Sequence, residues 1–378
     1  MKIAISTGGG DAPGLNAVIR AVVLSATARG WTCVGILRGF GSMLSRGEGI
    51  GSAWLGPERR KMAYAHGLMP LGPDEVRGIT QLGGTILGAS NRGNPFKWPA
   101  VDGNGQPVEL DRSDELIQAL REAQVDALVI IGGDGSLSIA HDLWAKGMPV
   151  VGVPKTIDND VWGTEATFGF DTAVSTATEA IDKLVSTAMS HDRVMVVELM
   201  GRYTGWIALH SGISGDADVI LIPEIPFDIE KVCQVIRDRE SQGQRFGIVV
   251  VAEGAKPAGG APMLLEKGRV GQAERLGGIA SQVAEIIASR TGKETRTLVL
   301  GHLQRGGSPT TFDRLLALRF GSAAVRALAD GAYGTVVVYT PPNVERRGLE
   351  EVVGKVRLVP LESGAIMTAR SLGISFGD

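Results

Sequence analysis

The chain has 378 residues, of which 44% are hydrophobic and 21% are charged, and its formal net charge is −3. It contains no long block of lysine or arginine, which argues against a surface for nucleic acid or anionic membranes. No apolar run approaches the roughly 18 residues that a membrane span needs. The two cysteines, Cys33 and Cys233, show neither metal-site spacing nor a disulfide framework. We therefore expect a cytoplasmic protein with no nucleic-acid partner and no membrane partner.

Short apolar runs alternate with helical patterns along most of the chain. Residues 2–6 are predicted to form a strand, and the glycine-rich segment 7–14 follows it. Residues 15–29 then place apolar side chains on one helical face, and Gly30 is a typical helix stop. Further strands are predicted at 127–131, 148–153, 193–200, 218–224, 246–253, 295–302 and 333–339, and further helices at 137–145, 206–214, 230–242, 276–290 and 311–329.

The predicted strands are uninterrupted hydrophobic runs, as is typical of strands buried on both faces. Their alternation with helices predicts mainly parallel sheets that are covered by helices. A chain of this length is expected to form two domains. We therefore expect the α/β class, with two doubly wound domains and an active site in the cleft between them. Residues 91–112 break the pattern with Gly, Pro and Asn and are expected to form a surface excursion.

In open α/β sheets, ligands bind beyond the carboxyl ends of the strands, so the loops there carry the functional residues. The first such loop, TGGGDAPG at 7–14, leads into a helix N-terminus, where free N–H groups and the helix dipole favour an anion. A tight turn before a helix is the alternative interpretation, and it remains open. The chain contains neither a Walker loop nor a G-x-G-x-x-G segment.

The second loop, GGDGS at 132–136, also joins a strand to a helix. Its glycines allow backbone N–H groups to approach phosphates, and Asp134 offers a hard oxygen ligand for Mg²⁺. An aspartate N-cap in a glycine turn is the alternative. Because a similar string also occurs in NAD kinases and lipid kinases, this segment predicts phosphate binding without specifying the enzyme.

The third loop, PKTIDND at 154–160, combines a lysine with two carboxylates. Asp158 and Asp160 are two residues apart and point the same way in an extended segment, so one of them can accept a proton from a substrate hydroxyl. A turn stabilised by hydrogen bonds from its aspartate and asparagine side chains is the alternative. That turn would leave Lys155 unexplained, which favours a catalytic loop.

Basic side chains flank two later strands. Arg193 precedes a strand that 200–202 follows, and Arg296 begins a strand that 302–305 follows. We expect the four arginines and the histidine of these segments to lie at matching strand ends and to bind a phosphate dianion, which arginine holds in a bidentate fork. A solvated surface arginine, or a histidine hydrogen-bonded in the core, is the alternative for each.

Six segments together resemble the 6-phosphofructokinase family in order and approximate spacing, and the resemblance covers essentially the whole chain. They are GGDAPGLN (9–16), GGDGS (132–136), PKTIDND (154–160), MGRYTGW (200–206), PE (223–224) and GHLQRGGSP (301–309). NPFK at 94–97 and Lys155 resemble the branch of the bacterial-type enzymes that mixes features of ATP-dependent and pyrophosphate-dependent members.

The resemblance implies a phosphoryl-donor site, a sugar-phosphate site and an oligomer. ATP as co-substrate would be bound by Gly10, Arg92, Gly133, Asp134, Gly135 and Ser136, with Mg²⁺ on Asp134. Fructose 6-phosphate would be surrounded by Thr156, Ile157, Asp158, Met200, Gly201, Arg202, Glu224, His302, Leu303, Gln304 and Arg305. Two family arginines that reach the sugar phosphate from a neighbouring subunit are matched by Arg193 and Arg296. A site completed in this way requires at least a dimer, and a tetramer is the usual state of the family.

The implied reaction is transfer of the γ-phosphoryl group of MgATP to the 1-hydroxyl of fructose 6-phosphate. Asp158 would take the hydroxyl proton, and Lys155 and Arg202 would stabilise the charge of the phosphoryl group in transfer. A kinase of the NAD or lipid type would share only GGDGS with this chain. A non-catalytic sugar-phosphate sensor would need neither Asp158 nor Asp134, and both are present. The implied phosphoryl-donor domain comprises 1–168 and about 303–355, and the implied fructose 6-phosphate domain comprises about 169–302 and 356–378.

Pyrophosphate is the alternative phosphoryl donor. Pyrophosphate-dependent members of the family typically have aspartate at the position of Gly135 and lysine at the position of Lys155, whereas most bacterial ATP-dependent members have glycine at both. An aspartate at 135 would project a carboxylate toward the α-phosphate of a nucleotide, while a lysine at 155 excludes neither donor. Because the residue that forbids a ligand should outweigh the one that tolerates both, we expect ATP.

Overall fold

The structure, a computed structural model, describes residues 1–44, 67–90, 93–266 and 275–378, with only the backbone described at 264–266 and 275. Arg92, which is predicted to bind the phosphoryl donor, lies outside the described residues. The described part is an α/β structure with mainly parallel sheets, as the sequence predicts.

The elements are numbered in chain order. The strands are β1 (Lys2–Thr7), β2 (Thr32–Ile36), β3 (Leu68–Leu71), β4 (Trp98–Val101), β5 (Pro107–Leu110), β6 (Ala127–Gly132), β7 (Val150–Pro154), β8 (Val194–Leu199), β9 (Val219–Leu221), β10 (Gly247–Ala252), β11 (Leu264–Glu266), β12 (Arg275–Leu276), β13 (Thr295–Val299), β14 (Thr335–Thr340) and β15 (Asn343–Gly348). The helices are α1 (Leu15–Thr27), α2 (Gly41–Leu44), α3 (Ser113–Glu122), α4 (Asp134–Ala145), α5 (Phe170–His191), α6 (Trp206–Ser214), α7 (Ile229–Ser241), α8 (Ile279–Thr291), α9 (Thr311–Ala329), α10 (Leu349–Val352) and α11 (Gly364–Ser371), with a 3₁₀ helix at Gly301–Arg305.

The larger sheet has the strand order β15-β14-β7-β6-β1-β2-β3 within the described residues. Its central strands are parallel, and β15 and β3 pair antiparallel at the two edges. Alternate residues of a strand face opposite sides of a sheet. Ile3 and Ile5 of β1 accordingly belong to the layer formed by α1 and α9, while Ala4 belongs to the layer that contains α3 and α4. The central strands are therefore buried on both faces.

The smaller sheet has the order β13-β8-β10-β9, and all of its strands are parallel. One face packs through Val197 and Val250 against α5, α6 and α11. The other face packs through Val196 and Val249 against α7 and α8. The C-terminal residues add to this second unit, because Ser375 forms a parallel bridge with Val219.

The predicted bounds of α6 and α9 are confirmed. α4 begins at Asp134 rather than at 137, because Asp134–Ser136 of the glycine loop form its first turn. The segment 91–112 contains the hairpin of β4 and β5. The long helix α5 was not predicted, since small and polar residues such as Thr172, Ala173 and Ala177 form much of its buried face and give a weak apolar pattern. No helix in the described ranges is long and apolar enough to cross a membrane.

Candidate active site

Three neighbouring parallel strands of the larger sheet end at one edge, where their loops form a single surface. The loop after β1 is joined to β6 by a hydrogen bond from Gly8 N to Ile131 O (2.9 Å), and Lys155 N, which follows β7, donates to Gly132 O (2.8 Å). Carboxyl ends of adjacent parallel strands lie together. The structure thus brings the three loops singled out from the sequence side by side.

The close approach of the first two loops requires glycine. A Cβ atom at Gly8 would lie 2.4 Å from Ser136 Oγ of the second loop, so a side chain there would push the two loops apart. A Cβ atom at Gly132 would lie 2.2 Å from Ser136 Cβ, so glycine is needed there for the turn within the second loop. Gly135 differs, because within the described residues no atom outside its chain neighbours and its own helix backbone lies within 4 Å of the position that its Cβ would take.

The first two loops line part of an open cavity of about 400 Å³. Part of its wall is apolar and is formed by Phe40, Ile130 and Ile139, a surface suited to a flat uncharged ring. Sequence patterns did not predict this wall, because its members come from separate segments that only the fold brings together. The other lining residues are Ser6, Gly8, Gly9, Gly39, Ser90, Gly93, Asn94, Gly133, Asp134, Gly135 and Ser136.

Lys155 is 3% exposed, and its Nζ donates a hydrogen bond to Gly10 O. Burial, helped by the positive charge of Arg305, lowers the pKa of Lys155 to about 8, while the negative charge of Asp158 limits this decrease. The ammonium group also lies 3.4 Å from the position that a Cβ would take at Gly9. It can therefore face a phosphoryl group bound over the glycine loop.

Asp158 is the second titratable group of the loop after β7. Burial raises its pKa to about 7, and the Asp160 carboxylate adds to the rise. Its N–H donates to Thr156 Oγ1 (3.0 Å) and its carbonyl accepts from Thr204 Oγ1 (3.1 Å). Its buried Oδ1 has no hydrogen-bond partner in the described part of the chain. The backbone is thus fixed, while a carboxylate oxygen remains able to meet a ligand.

Asp134 lies on the rim of the cavity, where its Oδ1 accepts a hydrogen bond from Gly354 N (3.0 Å). Asp134 also acts on Asp160 of the third loop. Burial raises the pKa of Asp160 and a hydrogen bond from Thr156 lowers it, while the negative charge of Asp134 raises it as well. No cluster of three or more histidine, cysteine or carboxylate side chains that could hold a metal occurs within the described residues. A single exposed carboxylate near phosphates is nevertheless a common arrangement for Mg²⁺, which keeps several waters and takes phosphate oxygens as ligands. Asp134 therefore fits this ion.

The 3₁₀ helix Gly301–Arg305 connects the two sheets. The fully buried Gln304 accepts a hydrogen bond from Met200 N at its Oε1 (3.3 Å), and Arg305 donates to Asp11 O (3.3 Å). Gln304, predicted to contact the sugar phosphate, thus supports the loop after β8. Arg305 reaches across to the glycine loop after β1.

Two carboxylates at the carboxyl end of the smaller sheet differ in their partners. Glu224 accepts backbone N–H groups from Gly205 (3.0 Å) and Val359 (2.9 Å), so it supports the local backbone. Glu253, which was not singled out from the sequence, is half-buried, and burial raises its pKa whereas Arg305 lowers it. Glu253 could have been found from its position directly after β10, which ends at Ala252. The predicted strand 246–253 included Glu253 and therefore did not mark it as a loop residue.

The other predicted sugar-site residues differ in exposure. His302 is exposed and Leu303 is 71% exposed. Ile157 lies wholly in the core, so only its backbone can contact a ligand. Gly201 allows a tight turn, because a Cβ there would lie 2.6 Å from Thr204 O.

Arg193 and Arg296 do not lie at the same strand ends as Arg202 and Arg305, so the expectation of matching ends is wrong. They lie at the amino ends of the neighbouring strands β8 and β13, where both bind Glu294, at 3.1 and 2.7 Å. The six residues of β8 span roughly 20 Å, which separates this pair from the carboxyl ends. Because Arg193 precedes its strand and Arg296 begins its strand, a parallel sheet places both at the end away from the ligand edge.

The fold and this edge are those of an α/β protein with a candidate site for phosphorylated ligands at the carboxyl ends of parallel strands, beside a buried lysine and aspartate. The family model described as Phosphofructokinase matches residues 2–328, and the chain belongs to this family.

Individual relatives agree with this membership. The chain is 48% identical over 380 residues to the ATP-dependent 6-phosphofructokinase of Chloroflexus aurantiacus, with 100% of this chain and 98% of that protein covered. It is 47% identical over 365 residues to the pyrophosphate–fructose 6-phosphate 1-phosphotransferase of Amycolatopsis methanolica, with 96% and 97% covered. Among solved structures, Pichia pastoris phosphofructokinase in the T-state matches 93% of this chain with a TM-score of 0.75 and 31% identity, and this chain spans 35% of that one.

Proposed function

We propose that this protein is an ATP-dependent 6-phosphofructokinase, which transfers the γ-phosphoryl group of MgATP to the 1-hydroxyl of fructose 6-phosphate and releases fructose 1,6-bisphosphate and ADP. One observation carries the proposal: Lys155 and Asp158 are buried together beside the glycine-lined cavity. The pair provides a proton acceptor and a cation where a bound phosphate would meet a sugar hydroxyl. The glycolytic substrate class is further supported by the relatives described above.

Asp158 acts as the general base. As the 1-hydroxyl oxygen forms a bond to the γ-phosphorus and the bond to the β-phosphate oxygen breaks, the hydroxyl proton passes to the Asp158 carboxylate. A base with a pKa of about 7 is well matched to proton transfer at neutral pH. The bonds that hold its backbone keep the carboxylate in place.

Charge on the phosphates is balanced by three groups of the site. The backbone N–H groups of 133–135, at the start of α4, bind phosphate oxygens, whereas Ser136 N already donates to Gly133 O. The ammonium of Lys155 and the guanidinium of Arg202 stabilise the phosphoryl group in transfer. In addition, Asp134 would hold Mg²⁺, and the bound ion would supply positive charge that neutralises the phosphates.

Fructose 6-phosphate lies between Asp158 and the carboxyl end of the smaller sheet. We add Glu253 to its predicted contacts, since this carboxylate can accept sugar hydroxyls, and we assign Glu224 to loop support. Arg193 and Arg296 bind the sugar phosphate of a neighbouring subunit. The protein is accordingly a homo-oligomer, at least a dimer, with tetramers usual in the family.

Two observations favour ATP over pyrophosphate. The space beside Gly135 is open, so nothing there opposes an α-phosphate. The apolar wall of Phe40, Ile130 and Ile139 suits an adenine ring, which pyrophosphate lacks. Pyrophosphate remains the alternative donor because Lys155 matches the pyrophosphate-dependent pattern and the Amycolatopsis relative bears that name.

The hydrophobic layers support the proposed division of the chain into two domains. α9 packs on the larger sheet, and α11 packs on the smaller one, in agreement with crossings at about 303 and 356. We also propose a cytoplasmic location and substrates limited to small phosphorylated molecules.

The proposal is tested by incubating the chain with fructose 6-phosphate, Mg²⁺ and either ATP or pyrophosphate, and by measuring fructose 1,6-bisphosphate in an aldolase-coupled assay. We expect product with ATP, and none when Mg²⁺ is withheld. Formation of NADP from NAD and ATP would instead indicate the NAD-kinase class. Binding of fructose 6-phosphate without product from either donor would indicate a sensor.

A further inference from the structure

A short extended segment near the C-terminus, residues 354–359, crosses the candidate site, and we call it the strap. At one end, Gly354 N donates to Asp134 Oδ1 (3.0 Å). At the other end, Val359 N donates to Glu224 Oε1 (2.9 Å). The strap therefore runs from the rim of the donor cavity to the carboxyl end of the smaller sheet.

Arg357, in the middle of the strap, holds the loop that carries Asp158. Its backbone N–H donates to Asp160 O (2.9 Å). Its guanidinium donates to Asn159 O (3.3 Å) and to the Glu165 carboxylate (3.0 Å). A single residue thus binds the carbonyls of both residues that follow Asp158.

This stretch of loop needs support. Asn159 has φ 51°, in the left-handed region that costs a non-glycine residue on the order of 1 kcal/mol or more. Its side-chain oxygen accepts from Thr167 N (3.0 Å). A residue held in an unfavourable conformation beside the base persists only when its surroundings fix it, and Arg357 and Thr167 do so from two sides.

Arg357 is itself fixed against the smaller sheet. Its guanidinium lies 4.3 Å from the ring centroid of Trp206, and Trp206 Nε1 donates to Arg357 O (2.9 Å). The ring is 6% exposed and the arginine side chain 18% exposed. Stacking of this kind favours the planar guanidinium over an ammonium. The catalytic loop is thus joined to the first turn of α6 through one side chain.

We propose that Arg357 is a positioning residue for phosphoryl transfer: it fixes the direction of the Asp158 carboxylate by holding the two following carbonyls against Trp206. It contacts neither substrate in this role. The inference rests on the proposed function, because it requires Asp158 to be the base. Misplacement of a catalytic group by about 1 Å costs on the order of 10²-fold in rate, so loss of Arg357 should reduce kcat more than it changes KM.

The test compares Arg357→Met with Arg346→Met. Methionine keeps a flexible apolar stem against Trp206 and removes the guanidinium. Arg346 is a matched control on β15, where it pairs with Asp330 (2.9 Å) at the surface. We expect Arg357→Met to lower kcat at least about tenfold with KM values for both substrates within about threefold of wild type, and Arg346→Met to leave both unchanged.

Chemical rescue separates positioning from general stability. Arg357→Ala leaves a slot beside Trp206, and millimolar methylguanidinium should raise its kcat at least about fivefold, while methylammonium should not. A kcat of folded Arg357→Met within about twofold of wild type, or KM values that rise as kcat falls, would overturn the inference. Failure of both Arg357→Met and Arg357→Lys to fold would overturn it as well, since the role would then be structural. Absence of product with the wild-type chain would instead refute the proposed function.

Discussion

Replacing Gly135 with aspartate tests whether this position selects the phosphoryl donor. The structure predicts that the variant folds, because apart from the chain neighbours and the backbone of the same helix no described atom lies within 4 Å of the new Cβ. Gly135 is also the second residue of α4, and a carboxylate in the first turn of a helix is favourable by about 0.3–1 kcal/mol. Any loss of activity would therefore arise from the ligand and not from the fold.

The expected magnitude follows from charge repulsion. A carboxylate at 135 would approach the α-phosphate of ATP to about 4 Å, and at an effective dielectric near 20 the repulsion is on the order of 4 kcal/mol. This corresponds to roughly a thousandfold loss of affinity. Pyrophosphate has no phosphate group beside residue 135, so the affinity for pyrophosphate should not fall. Because the cavity is open to solvent, the effect should weaken as salt is added.

The assay measures kcat/KM with ATP and with pyrophosphate for the wild type, Gly135→Asp and Gly135→Asn. Asparagine matches the shape of aspartate without its charge, so it should retain most of the activity with ATP. The reasoning fails if the wild type prefers pyrophosphate, if Gly135→Asp uses ATP as well as the wild type, or if the asparagine and aspartate variants lose the same amount.

Three further predictions concern the base, the pH profile and the subunit interface. Asp158→Ser should lower kcat at least about 10²-fold with little change in KM; a variant that keeps more than about a tenth of wild-type kcat would remove Asp158 from that role. kcat/KM should rise with pH through about 7, because Asp158 there becomes a carboxylate. It should fall above about pH 8, because Lys155 there loses its proton. A flat profile between about pH 6 and 9 would contradict both assignments. Asp158→Ser chains and Arg296→Ala chains, refolded together, should regain about a quarter of wild-type activity. About half of random dimers would then combine one chain of each variant, and one of their two shared sites would be intact. If the mixture is no more active than either variant alone, each chain completes its own site.

The parallel sheets could be predicted because burial on both faces permits only apolar residues in a strand, which leaves long uninterrupted runs. The same rule predicted the position of the catalytic residues. A lysine and aspartates directly after such a run mark the carboxyl end of a strand, where ligands bind in parallel sheets. Lys155, Asp158 and the loop 132–136 were found in this way, and the structure brings them together.

Other parts of the site depend on contacts that no local pattern contains. Arg357 is about two hundred residues from the loop it holds, and its role appears only when the strap is seen to cross that loop. Phe40 looks like any buried aromatic residue until the fold places it in the cavity wall. Arg193 and Arg296 were found as basic residues, but they stand at the starts of parallel strands and therefore at the amino ends. What the sequence does not contain is the Glu294 carboxylate that both of them bind there.

The burial of Lys155 and Asp158 acts on the two groups in opposite ways, and this explains why they occur together. Burial moves the pKa of Asp158 up to about 7 and that of Lys155 down to about 8. A phosphate that enters the cavity adds negative charge, which raises the pKa of Lys155 as well as the pKa of Asp158. Protonated Lys155 then becomes more stable, but Asp158 would lose its ability to accept a proton. The charges of Arg305 and Lys155 already lower the pKa of Asp158, and a cation at about 4 Å offsets an anion at the same distance by on the order of 4 kcal/mol, or about three pKa units. We infer that Lys155 limits the pKa of Asp158, which would be higher without this cation when a donor is bound. This need is the same for ATP and for pyrophosphate, so a lysine at this position does not select between them.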